Sequence, residues 1–140
     1  MSVAVHHMGL MCRDIRAKES FYTRHFGFQR GRVIGSGPDE ILFLHADGFY
    51  LELFVAAEPA PTPPQTGAGP SYPGWRHLAF KVDDVDAVLA VMGDDASVTA
   101  GPMSFDAFIP GWKTVWVSDP DGNIVEISQG YVDEATPPAP

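Results

Sequence analysis

HMGLMCRDI at residues 7–15 and HLAFKVDDV at residues 77–85 are one pattern written twice. Each opens on a histidine, continues as a strand-length run of apolar or alternating residues, and reaches an aspartate seven positions on, Asp14 or Asp84, suited to cap a helix. The ends of the two halves repeat as well. Asp47 and Gly48 open DGFYLEL, and Asp121 and Gly122 open DGNIVEI, so Glu52 and Glu126 each stand four residues after the glycine of an Asp-Gly pair. A pattern shared at both ends of two segments marks an internal repeat.

Periodicity fills in the rest. Val85, Val88, Leu89 and Met92 fall at i, i+3, i+4 and i+7 before Gly93, which is one buried helix face. Ile15, Tyr22 and Phe26 lie along one side of an earlier helix that Gly27 can cap. Strand-length runs follow at 30–34, 41–45 and 49–55, and again at 97–100, 114–117 and 124–128, with the two Asp-Gly pairs as hairpin turns. Each half therefore reads βαβββ, and the fold class is α+β with two such modules. Module 1 covers about 1–57 and module 2 about 75–130, together one domain over 1–130. Between them, EPAPTPPQTGAGPSYPG at 58–74 holds six prolines and three glycines, which exclude a regular helix or an interior strand, so it reads as a linker. Residues 131–140 read as a flexible tail. GPMSFDAFIPGWK at 101–113, two glycines and two prolines around aromatics, permits a cover over a bound molecule, the alternative being an ordinary surface connection.

Composition excludes several functions. The chain has 140 residues and a net charge of -9, from 9 Lys and Arg against 18 Asp and Glu, with no basic cluster that could follow a phosphate backbone. Nucleic acid and anionic membrane are not expected partners; a small molecule is. One cysteine, Cys12, excludes an intramolecular disulfide and an all-thiolate zinc site, and it reads as a packed thiol. With no signal peptide or long apolar span visible, the expected location is the cytoplasm.

Glu52 and Glu126 sit within apolar strands, where an unpaired carboxylate on a packed face is costly. Their recurrence in two repeats, each of which begins with a histidine, gives them a common purpose. If the first and last strands of each unit are neighbours, His7 can meet Glu52 and His77 can meet Glu126. Two imidazoles and two carboxylates suit Zn, Ni, Co, Mn or Fe(II) better than Ca or Mg. Strand alternation sends His6 to the face opposite His7, and His25 and His45 are read as surface or core residues.

HMGLMCRDIRAKESFYTRHFGF, YLELF, RHLAFKVDDVDA and DPDGNIVEI together resemble the vicinal oxygen chelate superfamily, which includes glyoxalase I, methylmalonyl-CoA epimerase, extradiol dioxygenases and fosfomycin- and bleomycin-resistance proteins. The resemblance runs from His7 to Ser128 and implies the glyoxalase/bleomycin resistance/dihydroxybiphenyl dioxygenase type of fold. Carried over residue by residue, it implies metal ligands at His7, Glu52, His77 and Glu126, with Glu126 or Glu52 as the catalytic base. A carboxylate at Glu52 is similar to the isomerase and lyase branch. The implied activity is a metal-dependent, glyoxalase I-like proton transfer on a small substrate with vicinal oxygens, in a homodimer. The alternatives are a non-catalytic small-molecule-binding or antibiotic-resistance protein, or an Fe(II)-dependent dioxygenase. Glutathione-dependent glyoxalases place an arginine and an asparagine where this chain has Met11 and Ala56, so a glutathione anchor would have to come from Arg13 or Arg76.

Overall fold

A computed structural model describes residues 1–140. The chain forms two units, Met1–Pro64 with Asp119–Asp121, and Gln65–Ser118 with Gly122–Pro140. In the first, β1 (His7–Cys12), α1 (Ile15–Phe26), β2 (Gln29–Ile34), β3 (Ile41–Ala46) and β4 (Phe49–Val55) make a sheet of order β1-β4-β3-β2. The second repeats the plan with β5 (Leu78–Lys81), α2 (Val85–Met92), β6 (Val98–Ser104), β7 (Lys113–Ser118) and β8 (Ile124–Gln129), in the order β5-β8-β7-β6. Each is a βαβββ module, and the α+β class read from the sequence holds.

The local chemistry is that of the sequence pattern. The Asp14 carboxylate accepts from the backbone N–H groups of Arg16 and Ala17, and that of Asp84 from Ala87, each cap contributing about 1 kcal/mol. Gly27 ends α1 in the left-handed region, at φ 71°. A helix between the first strand and the rest lets the first strand lie parallel to the last: β1 pairs with β4, and β5 with β8. One face of each sheet is apolar and buried, through Cys12, Leu42, Leu44, Leu51 and Leu53 in the first unit and Val115, Val117, Val125 and Ile127 in the second. The helices bring Ile15, Phe21 and Tyr22, and Val85 and Met92, into the respective cores. No helix is long and apolar enough to cross a membrane.

Three features depart from the sequence reading. β6 runs on to Ser104, so part of segment 101–113 is strand. The remaining connection is closed by its own bonds: Phe105 N–H donates to the Trp112 carbonyl (2.8 Å), Gly111 N–H donates to Asp106 Oδ1 (2.7 Å), and the Phe105 and Trp112 rings lie 4.8 Å apart. The two Asp-Gly pairs also differ. Asp47 and Gly48 both have positive φ, 50° and 77°, and form a two-residue hairpin between Ala46 and Phe49. The second connection spans 119–123, between the paired Ser118 and Ile124.

The reason for that longer turn is the third departure, Lys18. It lies on the buried face of α1 and is completely buried, with Nζ 2.6 Å from Asp119 Oδ2 and 2.8 Å from Asp121 Oδ2. Tyr22 donates its hydroxyl to the same Asp119 oxygen (3.1 Å), Asp121 N–H donates to Asp119 Oδ1 (2.9 Å), and Arg13 N–H donates to Asp121 Oδ1 (3.1 Å). Burial, then the neighbouring Asp119 charge, pushes the Tyr22 phenol well above its ordinary pKa. Cys12 is the packed thiol expected: burial pushes its pKa up to about 11. Removing one member of a buried ion cluster strands the others, at a cost of about 3–5 kcal/mol. Lys18→Met is therefore expected to lower the unfolding free energy in urea by about that amount; a loss below about 1 kcal/mol, the level of an exposed pair, would contradict the burial argument.

Candidate metal-ligating site

The parallel pairing of first and last strands sets the site. Gly9 lies in register with Glu52, and Ala79 with Glu126, so in each module the histidine is two residues before the partner of the glutamate. Residues two apart on a strand share a face, so His7 of β1 is a diagonal neighbour of Glu52 on the face away from the helix-side core, and His77, one residue before β5, lies beside Glu126 in the same way. Glycine or alanine directly across from the carboxylate leaves room for the two groups to meet. His7 Nε2 lies 3.1 Å from Glu52 Oε2, and His77 Nε2 lies 2.7 Å from Glu126 Oε2. The four residues read from the sequence thus assemble as two equivalent pairs. No three His, Cys, Asp or Glu side chains of the chain gather into a group that holds a metal.

The surroundings of the pairs are not equivalent. His77 Nδ1 is 2.7 Å from the Ala68 carbonyl oxygen, which only accepts, so Nδ1 carries a proton and Nε2 is the atom offered to Glu126. Ala68 belongs to the Pro/Gly-rich stretch, and its neighbours are tied within the same unit. Thr99 donates its hydroxyl to the Gly67 carbonyl (2.7 Å), and Gln65 N–H donates to that of Gly122 (3.2 Å). Gly69 has φ 107°, and a Cβ there would meet the Arg76 carbonyl oxygen at 2.3 Å, so only glycine fits beside the hydrogen bond. In the first pair the partner of the histidine is a side chain, since His7 Nδ1 lies 2.9 Å from His6 Nδ1.

The inner neighbours of the carboxylates differ too. Phe43 pairs with Glu52 across β3 and β4, whereas Trp116 pairs with Glu126 across β7 and β8. The Trp116 indole N–H donates to Glu126 Oε2 (3.1 Å), and a phenyl ring has nothing to donate to Glu52. Glu126 is held from two sides and Glu52 from one.

One residue stands elsewhere than the sequence reading put it. His6 precedes β1, so strand alternation does not govern it: its ring stacks on Tyr50 at 4.9 Å, on the same face as Glu52. His45, read as surface or core, is exposed and lies against the opposite flank of Tyr50, also at 4.9 Å. The Arg13 backbone N–H donates to Asp121 Oδ1, and its exposed guanidinium reaches the Pro120 carbonyl at 3.4 Å; Arg76 is exposed as well. The small residues Gly9 and Ala79 were a legible signal for the site, because each stands two residues after its histidine.

Gly69→Ala is expected to break the Ala68 to His77 hydrogen bond. The ring nitrogen shifts of His77 in an NMR spectrum report it: protonated Nδ1 in the wild type, loss of that fixed form in the variant. An unchanged ring spectrum would show that the linker does not hold the imidazole.

The match to known proteins covers most of the chain. The family model described as Glyoxalase/Bleomycin resistance protein/Dioxygenase superfamily matches residues 4–127. The protein YaeR of Escherichia coli (strain K12) is 31% identical over 126 residues, which is 88% of this chain and 93% of YaeR. The crystal structure of a glyoxalase family protein from Enterococcus faecalis is similar with a TM-score of 0.65 and 30% identity, covering 89% of this chain and 96% of that one. The fosfomycin resistance protein FosX from Listeria monocytogenes shares the fold, with a TM-score of 0.70 at 13% identity over 94% of this chain and 97% of its own. With the family model spanning both His–Glu pairs, the chain belongs to the Glyoxalase/Bleomycin resistance protein/Dioxygenase superfamily.

Proposed function

We propose that this chain is a metal-dependent lyase or isomerase of the glyoxalase I type, which moves a proton on a small substrate bearing vicinal oxygens. His7, Glu52, His77 and Glu126 are the ligands of one divalent ion, Ni, Co, Zn, Mn or Fe(II), and the two units work as one domain. The observation that carries the reading is the duplicated His–Glu pair at the same strand register. The donor set fits an ion. Imidazole nitrogen and carboxylate oxygen together suit a divalent transition metal, and in each pair the two donors lie close to one another, at 3.1 and 2.7 Å. In the second pair the imidazole proton is fixed on Nδ1, so a neutral His77 turns its Nε2 lone pair toward the Glu126 carboxylate, an arrangement that calls for a cation.

A divalent ion in this ligand set supplies Lewis-acid activation of a substrate oxygen, which makes the neighbouring C–H more acidic. The protein supplies the base. Glu126, pinned by Trp116, acts as the fixed ligand; Glu52, whose side-chain partner is His7 alone, takes the proton from carbon and returns it. Return to the next carbon is isomerisation and return to the same carbon is epimerisation. Met11 and Ala56 supply none of the charged or amide contacts that would hold glutathione in the usual way. The assembly is a homodimer in which the first pair of one copy joins the second pair of the other, in keeping with two ligands per module.

The experiment is elemental analysis of the purified protein after supply of Ni, Co, Zn, Mn and Fe(II). One ion per chain is expected, diminished in His77→Ala and Glu126→Ala with the fold retained; no ion under any supply would overturn the reading. Two chains co-expressed, one His7→Ala/Glu52→Ala and the other His77→Ala/Glu126→Ala, are expected to recover one ion per pair of chains, and recovery of none would remove the dimer arrangement. With ion present, α-hydroxy carbonyls, hemithioacetals and acyl thioesters are the compounds to test. Exchange of substrate hydrogen with solvent deuterium, lost in Glu52→Gln and kept in part in Glu126→Gln, identifies the base. A compound bound and returned unchanged would instead indicate a sequestering protein, and oxygen uptake a dioxygenase.

A further inference from the structure

We infer that His6 is a positioning residue: it fixes the His7 imidazole for metal ligation, the part that the Ala68 carbonyl takes for His77. The inference rests on the four-ligand reading above and adds a fifth residue to it, one that touches neither ion nor substrate.

The geometry of the two pairs poses the problem. A histidine that ligates through Nε2 carries its proton on Nδ1, and that N–H needs an acceptor to hold the ring in one orientation. In the second module the Pro/Gly-rich stretch brings a backbone carbonyl to 2.7 Å from Nδ1. In the first, the group near His7 Nδ1 is His6 Nδ1 at 2.9 Å, with the two rings edge to face at 88°. His7 is also the more open of the two ligands, its side chain 42% exposed against 20% for His77, so it has less packing to restrain it. A hydrogen bond matters more for such a ring.

His6 is itself well held for the task. Although it precedes β1, its carbonyl accepts from Tyr50 N–H (2.9 Å), which extends the ladder of β1 and β4 by one bond. Its ring stacks nearly parallel on Tyr50, at 4.9 Å and 26°, and the other flank of Tyr50 meets His45, whose Nε2 accepts from Gly48 N–H (3.3 Å). The hairpin turn at Asp47 and Gly48, His45, Tyr50 and His6 thus form one stack that ends at the Nδ1 of the ligand. In the ion-loaded state His7 Nδ1–H donates to His6 Nδ1, and His6 carries its own proton on Nε2, which points away from the bond.

Zn2+ affinity, measured by competition with a chelating dye on the intact chain, tests this. His6→Ala is expected to bind Zn2+ about 10–100-fold more weakly, the usual loss when the partner of a ligating histidine is removed. His6→Phe keeps a ring on Tyr50 without an acceptor and is expected to be as weak as His6→Ala; His6→Asn, whose Oδ1 can accept from Nδ1–H, is expected to recover most of the loss. In the Zn2+-loaded wild type the ring nitrogen shifts should show His7 protonated at Nδ1 and His6 at Nε2. Wild-type affinity in His6→Ala, or full affinity in His6→Phe, would overturn the inference. His7→Ala separates the two levels: if it abolishes binding while His6→Ala binds as the wild type does, only the positioning role falls. If His7→Ala binds as the wild type does, the ligand assignment falls and the role of His6 falls with it.

Discussion

A buried ammonium group, that of Lys18, is the constraint on which the first unit depends. Its charge has no access to water, and the two carboxylates within 3 Å of it come from residues more than a hundred positions later in the chain. A cluster of this kind gains little net stability over apolar packing, because each ion pays for leaving water, but it strongly disfavours any arrangement in which one member is missing. The consequence is that Asp119, Pro120 and Asp121 belong to the unit built by the N-terminal half. The turn between β7 and β8 therefore cannot be the two-residue hairpin that joins β3 to β4. Two Asp-Gly pairs of the same composition end in different conformations because one aspartate pair has a lysine to satisfy.

The chemistry of the site depends on a second constraint, the parallel pairing of the first and last strands of a βαβββ unit. Parallel register puts a histidine on one strand diagonal to a glutamate on the other, and a residue with little or no side chain beside the carboxylate keeps the diagonal open. Because the module occurs twice, the arrangement occurs twice. The two copies then diverge through single residues at matching places: Phe43 or Trp116 on the inner strand, His6 or the Ala68 carbonyl behind the imidazole. The repeat explains why both halves own a pair. The differences give the two pairs unequal freedom: Glu126 meets the Trp116 indole N–H as well as His77, and Glu52 meets His7 alone.

The elements and the two pairs were legible in the sequence because they rest on short-range rules: helix spacing, caps, turn residues and the twofold recurrence of His and Glu. What escaped was set by partners distant in sequence. Nothing near Lys18 in the sequence marks it as buried, because Asp119 and Asp121, which reach it, lie far along the chain. His6 was assigned by strand alternation to the wrong face, because alternation applies only once the strand has begun, and β1 begins at His7. Residues 65–69 carry every sign of a linker, but composition reports only the absence of helix and strand. Where the carbonyl groups of such a segment are spent depends on Thr99, Gly122 and His77, none of them neighbours in sequence.

The distinction between a salt bridge and a metal pair comes down to where the imidazole proton sits. A histidine that forms an ordinary neutral hydrogen bond to a carboxylate places its single proton between the two. For His77 that position is closed, since the Ala68 carbonyl can only accept and so claims the proton for Nδ1. The pair is then complete only if a cation, a second proton or a metal ion, lies between Nε2 and Glu126. Trp116 strengthens the case for an ion: by donating to Glu126 Oε2 it fixes the carboxylate independently of the histidine, so the separation of the two donors does not depend on a proton to hold it. Glu126 Oε2 thus meets both the Trp116 N–H and the His77 ring, while the imidazole is held from its far side by the Ala68 carbonyl. In the first module a side chain stands in place of the backbone carbonyl: His6, which alternation alone would discard, lies with its Nδ1 2.9 Å from that of His7.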